Sequence, residues 1–348
     1  MDNSINFGKY LAQQPVGKQL VLLSFFVTNS TALGKLKSQW ALRNVEHSMV
    51  LGRITEDMQI LPNEDFGGSV ALIDPMQMNK GILVEISVPS AFGLCLRKDD
   101  NSLYVTSNTV LARIKRGQCV QSLNNKLFND LHTCTPSVSG NLLVATTGID
   151  AVLEIDFDDT SKVYWDWLAT ENGYNTTAEG NTRVIDRQLD YQSVVTTTPE
   201  HTTHINTAIN DIPNRVLATL FHQGEVVEID MVSKQSRVLL SGLKSPHNIR
   251  RRSAGFMVSD TRANRVLLLD DNFVIEKEIT YGFDWVQDAI ELDGNLGYLI
   301  ADSNNDRLVL FDYSGQNIAV MQWGKDSRKI AAMEHITVAQ ARDIFLPS

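Results

Sequence analysis

The chain has 348 residues, a net charge of −10 and a pI of about 5.2, with 43% hydrophobic residues, an ordinary fraction for a globular core. No basic stripe appears beyond the triplet Arg250–Arg252, which speaks against binding of nucleic acid through its phosphate backbone. Three cysteines, Cys95, Cys119 and Cys134, without a C-x-x-C pair speak against a disulfide framework or a thiolate zinc site, and no run reaches the eighteen or so apolar residues of a membrane span.

The first apolar run, Leu20–Val27, lies behind Lys9 and Lys18 and loosely resembles a signal segment. It is short for one and reads as a core strand. With the sparse cysteines this sets the expectation of a cytoplasmic protein, export being the alternative. Strands are expected at Gln19–Thr28, Ser69–Asp74 and Gly81–Val88, and residues 1–68 as a whole have no settled assignment.

From residue 101 one pattern recurs. NSLYVTSNTVLARIK (101–115), GNLLVATTGIDAVLEID (140–156), NRVLATLFHQGEVVEID (214–230), AGFMVSDTRANRVLLLD (254–270) and NLGYLIADSNNDRLVLFD (295–312) are each an apolar run, a polar turn and a second apolar run. β-Branched and aliphatic runs between turn signals read as strands. A period of about forty residues with four strands per unit reads as propeller blades.

Ahead of the five pairs stand strand starts, Gly93 in FGLC, His132 in LHTC, His204 in THIN, His247 in PHNI and Asp288 in QDAI, and a sixth, His335 in EHIT, follows the last pair. Four of the chain's seven histidines thus share one repeat position, and on separate blades they would face one axis. The fold expected is all-β, a single β-propeller domain over 1–348 with six blades, seven being the alternative. The last blade is expected to have a strand from His335 (HITVAQ), a second at DIFLP, and N-terminal strands completing it. Joining the two chain ends leaves no exposed sheet edge.

Between the repeats at 140–156 and 214–230 lies a polar insertion of about residues 169–200, a candidate lid over the same face as the ring. It carries Arg183, Arg187 and Tyr191. His201, three residues ahead of the ring position, reads as a solvated loop histidine. Residues after the second strand of each blade belong to the same mouth. Asp260 and Asp302 there read as caps of the following turn, whereas His222 departs from that pattern and is a candidate proton-transfer group.

Several of these strings resemble known families. YLIADSNNDRLVLFDYSGQNI (298–318) is similar to NHL-type repeats, which build propellers of varied function. His132, His204 and His247 resemble the three inner-strand histidines that hold zinc in peptidyl-hydroxyglycine lyase, although that family's arginine and tyrosine have no match by motif here. The four-histidine count is similar to that of the carotenoid-cleaving oxygenases, without their surrounding sequence. VLEIDFDDTSKVYWDWLATENGY followed by HTTHINTAINDIPNRVLATLF is similar to bacterial arylsulfotransferases. In that resemblance His204 and Asn206 match the His-x-Asn element, and a histidine is the sulfate acceptor.

Imidazoles converging from separate strands suit a divalent transition metal such as zinc, iron, copper or manganese. The leading expectation is therefore a metal-dependent enzyme, a lyase, hydrolase or oxygenase, acting on a small molecule or peptide. Its metal ligands would be His132, His204, His247 and His335, with His222 and Asp288 moving protons. Arg183, Arg187, Tyr191 and Asn206 would bind substrate. Two alternatives stand beside it: arylsulfotransferase-like transfer through a nucleophilic histidine, and a non-catalytic NHL-type interaction module.

Overall fold

The computed structural model describes residues 3–29, 32, 66–194, 196–292, 296–325 and 327–347. Helix α1 (Asn3–Ala12) leads into β1 (Gln19–Val27), β2 (Ser69–Ile73) and β3 (Val84–Ser87). Four-stranded antiparallel blades follow in order. They are β4–β7 (Ala91–Arg97, Ser102–Ser107, Val110–Lys115, Gln118–Asn124) and β8–β11 (Leu131–Pro136, Leu142–Thr146, Ala151–Ile155, Val163–Leu168). Next come β12–β15 (Ile205–Ile212, Arg215–Leu220, Glu225–Asp230, Ser236–Leu240) and β16–β19 (Pro246–Arg251, Phe256–Asp260, Arg265–Leu269, Ile275–Ile279). The fifth is β20–β23 (Val286–Leu292, Gly297–Asp302, Arg307–Phe311, Asn317–Gln322).

The sixth blade has the order β24-β1-β2-β3, with β24 (Lys329–Thr337) innermost. The chain is thus a six-bladed β-propeller closed by its own ends, and the seven-bladed alternative falls away. The pairing of β1 with β24 runs from Gln19 opposite Thr337 to Val27 opposite Lys329. Most of the apolar run Leu20–Val27 is fully buried in β1, as its reading as a core strand requires.

The C-terminal tail differs from the sequence expectation. The inner strand ends at Thr337, and the stretch read as further strand is helix α2, Val338–Phe345. A capping box explains the switch: Gln340 N–H donates to Thr337 Oγ1 at 3.3 Å, and Thr337 N–H donates back to Gln340 Oε1 at 2.9 Å. Val338, Ala341, Ile344 and Phe345 then fall on one helical face and bury against Phe7 and Leu11 of α1.

One irregularity sets the geometry of the channel. Every innermost strand carries one extra residue at the same place, directly after Ala91, Leu131, Ile205, Pro246, Val286 or Ile330. A β-bulge of this kind puts two residues opposite one and re-aims their side chains. The bulged pairs are Phe92–Gly93, His132–Thr133, Asn206–Thr207, His247–Asn248, Gln287–Asp288 and Ala331–Ala332. Most of them line a small axial cavity with about 10 Å³ of free space, close to the minimum for one water molecule. Blade-to-blade hydrogen bonds brace the same layer: Thr106 Oγ1 to His132 O (2.6 Å), Thr207 Oγ1 to His247 O (2.9 Å) and Asn248 Nδ2 to Gln287 O (3.1 Å).

Candidate functional site

The bulge fixes which residues are equivalent. The axial ring is Phe92, His132, Asn206, His247, Gln287 and Ala331. Gly93 and Asp288, read from sequence as ring members, stand one residue beyond it, and His204 stands two residues before it. His335 lies four residues past Ala331, about 13 Å along the strand at 3.3 Å per residue. The structure therefore does not place His335 with the other histidines. The sequence reading took His335 as the start of the strand, whereas β24 begins at Lys329.

A second ring sits at the strand starts. Ser90, Asp130, His204, Ser245 and Trp285 immediately precede five inner strands, and all five have left-handed backbones with φ between 47° and 68°. Asp and His tolerate this region better than most residues. Asp130 and His204 are thus equivalent positions on adjacent blades.

Around them the histidines gather. His204 lies with its ring centroid 5.0 Å from His132, 4.9 Å from His201 and 5.9 Å from His222. His201 and His204 are stacked at 16° and meet Nδ1 to Nδ1 at 2.6 Å. His247 joins the group across Phe221, which is 5.0 Å from His204 and 5.3 Å from His247. Sequence reasoning missed His201, which is fully buried and not a solvated loop residue. The H-x-x-H spacing of 201 and 204 was the available signal.

Ligand atoms of Asp130, His201 and His204 all lie within 4.8 Å of one another. Burial pushes His201 down to about 4, against the opposing charge of Asp150. Burial also takes His204 well below the usual histidine range, helped by its neighbours His201 and His132. His247 is pushed down to about 3, again by burial first and by His132 second. These three imidazoles are neutral near pH 7, the state in which they bind metals or accept protons.

Carbonyl and hydroxyl partners settle several tautomers. His132 donates from Nδ1 to Asp130 O at 3.0 Å, and His222 from Nε2 to Thr198 O at 2.9 Å. Thr261 donates its hydroxyl to Val286 O, so its oxygen accepts from His247 Nδ1 at 2.9 Å. His247, neutral near pH 7, consequently keeps Nε2 as a lone-pair acceptor.

Other predicted site residues have structural partners. Asp288 is fully buried and takes both arms of Arg250 at 2.9 and 2.7 Å and the Met333 amide at 2.8 Å, so it is no proton shuttle for the histidines. Arg183 is paired with buried Asp150 at 2.6 Å, and Arg187 with Asp166 and Glu171, each at 2.7 Å. Arg183 is largely buried in its pair, whereas Arg187 is half-buried between its two carboxylates. Tyr191 is buried and accepts from Asp186 N–H through its hydroxyl. The insertion is therefore bolted down, with Asn129 Nδ2 donating to Tyr191 O and Val194 O at 2.7 and 2.6 Å. Asn206 is in the axial ring. Its Nδ2 donates to Pro246 O at 3.0 Å, while its buried Oδ1 has no partner among the described residues. Asp260 and Asp302 do not cap the turns that follow them, as the sequence suggested: the backbone amides they accept from are Lys244 N–H and Asp284 N–H, at 2.5 and 2.8 Å in the loop ahead of each blade's inner strand, and each carboxylate pairs with the arginine of its own hairpin, Arg265 or Arg307.

Fold and site together define a six-bladed β-propeller with a buried histidine cluster at one mouth of its channel. No sequence model of a protein family matches the chain, and no curated protein sequence matches it. Solved structures similar to it include a protein of unknown function from Bacteroides caccae, 18% identical with a TM-score of 0.52 over 77% of this chain and 94% of that one. A chain of a nidogen/laminin complex is 10% identical with a TM-score of 0.56 over 91% and 98%. A periplasmic gluconolactonase from Pseudomonas aeruginosa is 13% identical with a TM-score of 0.55 over 92% and 100%. At these identities the likeness reaches the fold alone. Among the described residues no helix is long and apolar enough to cross a membrane.

Proposed function

We propose that this mouth is a metal site held by Asp130, His201 and His204, in an enzyme that performs lyase, hydrolase or oxygenase chemistry on a small molecule or peptide. One observation carries the reading: a carboxylate and two buried, neutral imidazoles converge within 4.8 Å. Two histidines and one carboxylate form a known donor set for iron(II) and zinc, with coordination positions left for substrate. Ligands around one ion at about 2.1 Å stand roughly 3–4 Å apart, so the set needs only a small adjustment. Asp130 is the more exposed member and has the room for it. His132 holds the Asp130 carbonyl from Nδ1, a partner that fixes the ligand from outside the metal sphere. A metal here would polarise a substrate oxygen or activate water or oxygen.

A second reading has its own support. The 2.6 Å Nδ1–Nδ1 contact requires one hydrogen between two imidazoles. One ring is then a base toward the other, the arrangement that activates a nucleophilic histidine for group transfer. The gluconolactonase of similar fold is a reminder that such a frame carries enzymes; the chemistry proposed here rests on the histidines.

Elemental analysis of protein purified without a polyhistidine tag separates these readings. Near-stoichiometric zinc, iron, copper or manganese is expected, lost in a His201→Ala, His204→Ala double variant that keeps its circular dichroism. Absence of metal in the wild type even after these ions are added would sink the metal reading and leave transfer through histidine, or an NHL-type interaction module without catalysis.

A further inference from the structure

Arg262 stands beside this site on the short turn Thr261–Ala263 that follows β17. The turn is pinned: Thr261 holds His247 and Val286 O, and Arg262 N–H donates to Lys244 O at 2.9 Å. The exposed side chain lies across two aromatic faces, its guanidinium carbon 5.5 Å from the Phe221 centroid and 5.7 Å from that of Trp285. His247 sits between the same two rings, 5.3 and 5.5 Å away. Stacking fixes the guanidinium plane and leaves its N–H edge for hydrogen bonds.

Arginines elsewhere around the channel are paired. Arg183 has Asp150, Arg250 has Asp288, Arg265 has Asp260 and Arg307 has Asp302. No acidic group among the described residues pairs with Arg262. A single ring, Phe221, separates it from His204, the proposed ligand.

We propose that Arg262 anchors a carboxylate of the substrate, whose planar or apolar body lies along Phe221 and Trp285 toward the histidines. This rests on the mouth being the substrate site, and it names the substrate class: a small organic carboxylate. A fixed guanidinium receives a carboxylate through two parallel hydrogen bonds. It also supplies local attraction for an anion that the chain's overall charge of −10 would otherwise repel.

Benzoate is the probe and benzamide its neutral counterpart, titrated calorimetrically into the wild type, Arg262→Gln, Arg262→Lys and Arg187→Gln. Benzoate should bind wild type saturably and at least tenfold more tightly than benzamide. Arg262→Gln should lose that preference, Arg262→Lys should retain part of it, and Arg187→Gln should keep it whole. Equal binding of the two probes, no binding of benzoate, or full benzoate affinity in Arg262→Gln would overturn the proposal. Metal content of the same samples separates the two ideas: charge-selective binding through Arg262 in protein that takes up no metal would uphold the anchor and reject the metal site.

Discussion

The backbone N–H of His204 donates to Asp150 Oδ1 at 2.7 Å, and the same carboxylate gathers the amides of Thr202 and Thr203 at 2.7 and 2.9 Å and the Thr203 hydroxyl at 2.8 Å. Arg183 closes the far side. Burial acts to raise the Asp150 pKa, but the electrostatics of His201 and Arg183 and these donors outweigh it and hold the carboxyl below the ordinary aspartate range. Asp150 thus binds one blade to the segment that delivers both site histidines. Asp150→Ala strips Arg183 of its carboxylate, leaving it Gly148 O, and takes the acceptor from three amides, so a loss on the order of 3–5 kcal/mol is expected, together with weakened metal binding. Arg183→Ala, which leaves Asp150 its other donors, should cost only about 1–3 kcal/mol. Denaturant unfolding and metal titration of both variants check this.

Gly93 has a packing reason for its place. A Cβ there would fall 2.4 Å from His132 O, 2.7 Å from Thr133 Cα and 2.8 Å from Cys134 N, all backbone of the neighbouring inner strand. Gly93→Ala is therefore expected to push two blades apart at the bulge layer, costing roughly 1–3 kcal/mol. The displacement should reach His132, visible as a changed imidazole resonance in NMR. An unchanged spectrum at wild-type stability would contradict this account of the contact.

The short apolar runs and their regular spacing were enough to read the blades and the closure, because the strands packed between neighbouring blades are buried on both faces. The site was legible only in part. His132, His204 and His247 were recognised as convergent, but LHTC, THIN and QDAI were aligned by residue type, and the bulge that all six inner strands share, which fixes their true register, is announced by no residue type. Aligning by histidine therefore equated His132 with His204, when His204 matches Asp130 and Asn206 matches His132. The tail misled for a local reason: HITVAQ alternates like a strand, and only the capping pair Thr337 and Gln340 marks the turn to helix.

That register yields a contrast between histidines. His335 is far along β24 from the cluster, so His335→Asn should leave metal content and any activity within twofold of wild type. His201→Asn should abolish metal retention, since an amide is a poor replacement for an imidazole on a transition metal. Elemental analysis of the two purified variants is the check. Metal loss in both would restore His335 to the ligand set.

Acid should destabilise the fold through its buried histidines, and His247 is the cleanest case. It is 7% exposed and its pKa is pushed down to about 3 by burial, while an unfolded histidine titrates near 6.5. Because the folded value is depressed, the unfolded chain binds more protons below pH 6.5. Stability is then fully present above 6.5 and is lost as pH falls toward 3. Between pH 6.5 and 5 the loss from this one residue is on the order of 1–2 kcal/mol. Urea unfolding of wild type and His247→Gln at pH 7.5, 6 and 5 measures it. The variant starts lower, because Thr261 and the ring packing are disturbed, but its curve should be flatter over this interval by about that amount. Parallel curves would mean that His247 takes up its proton in the folded state as readily as in the unfolded one, and that the mouth is wetter than its packing implies.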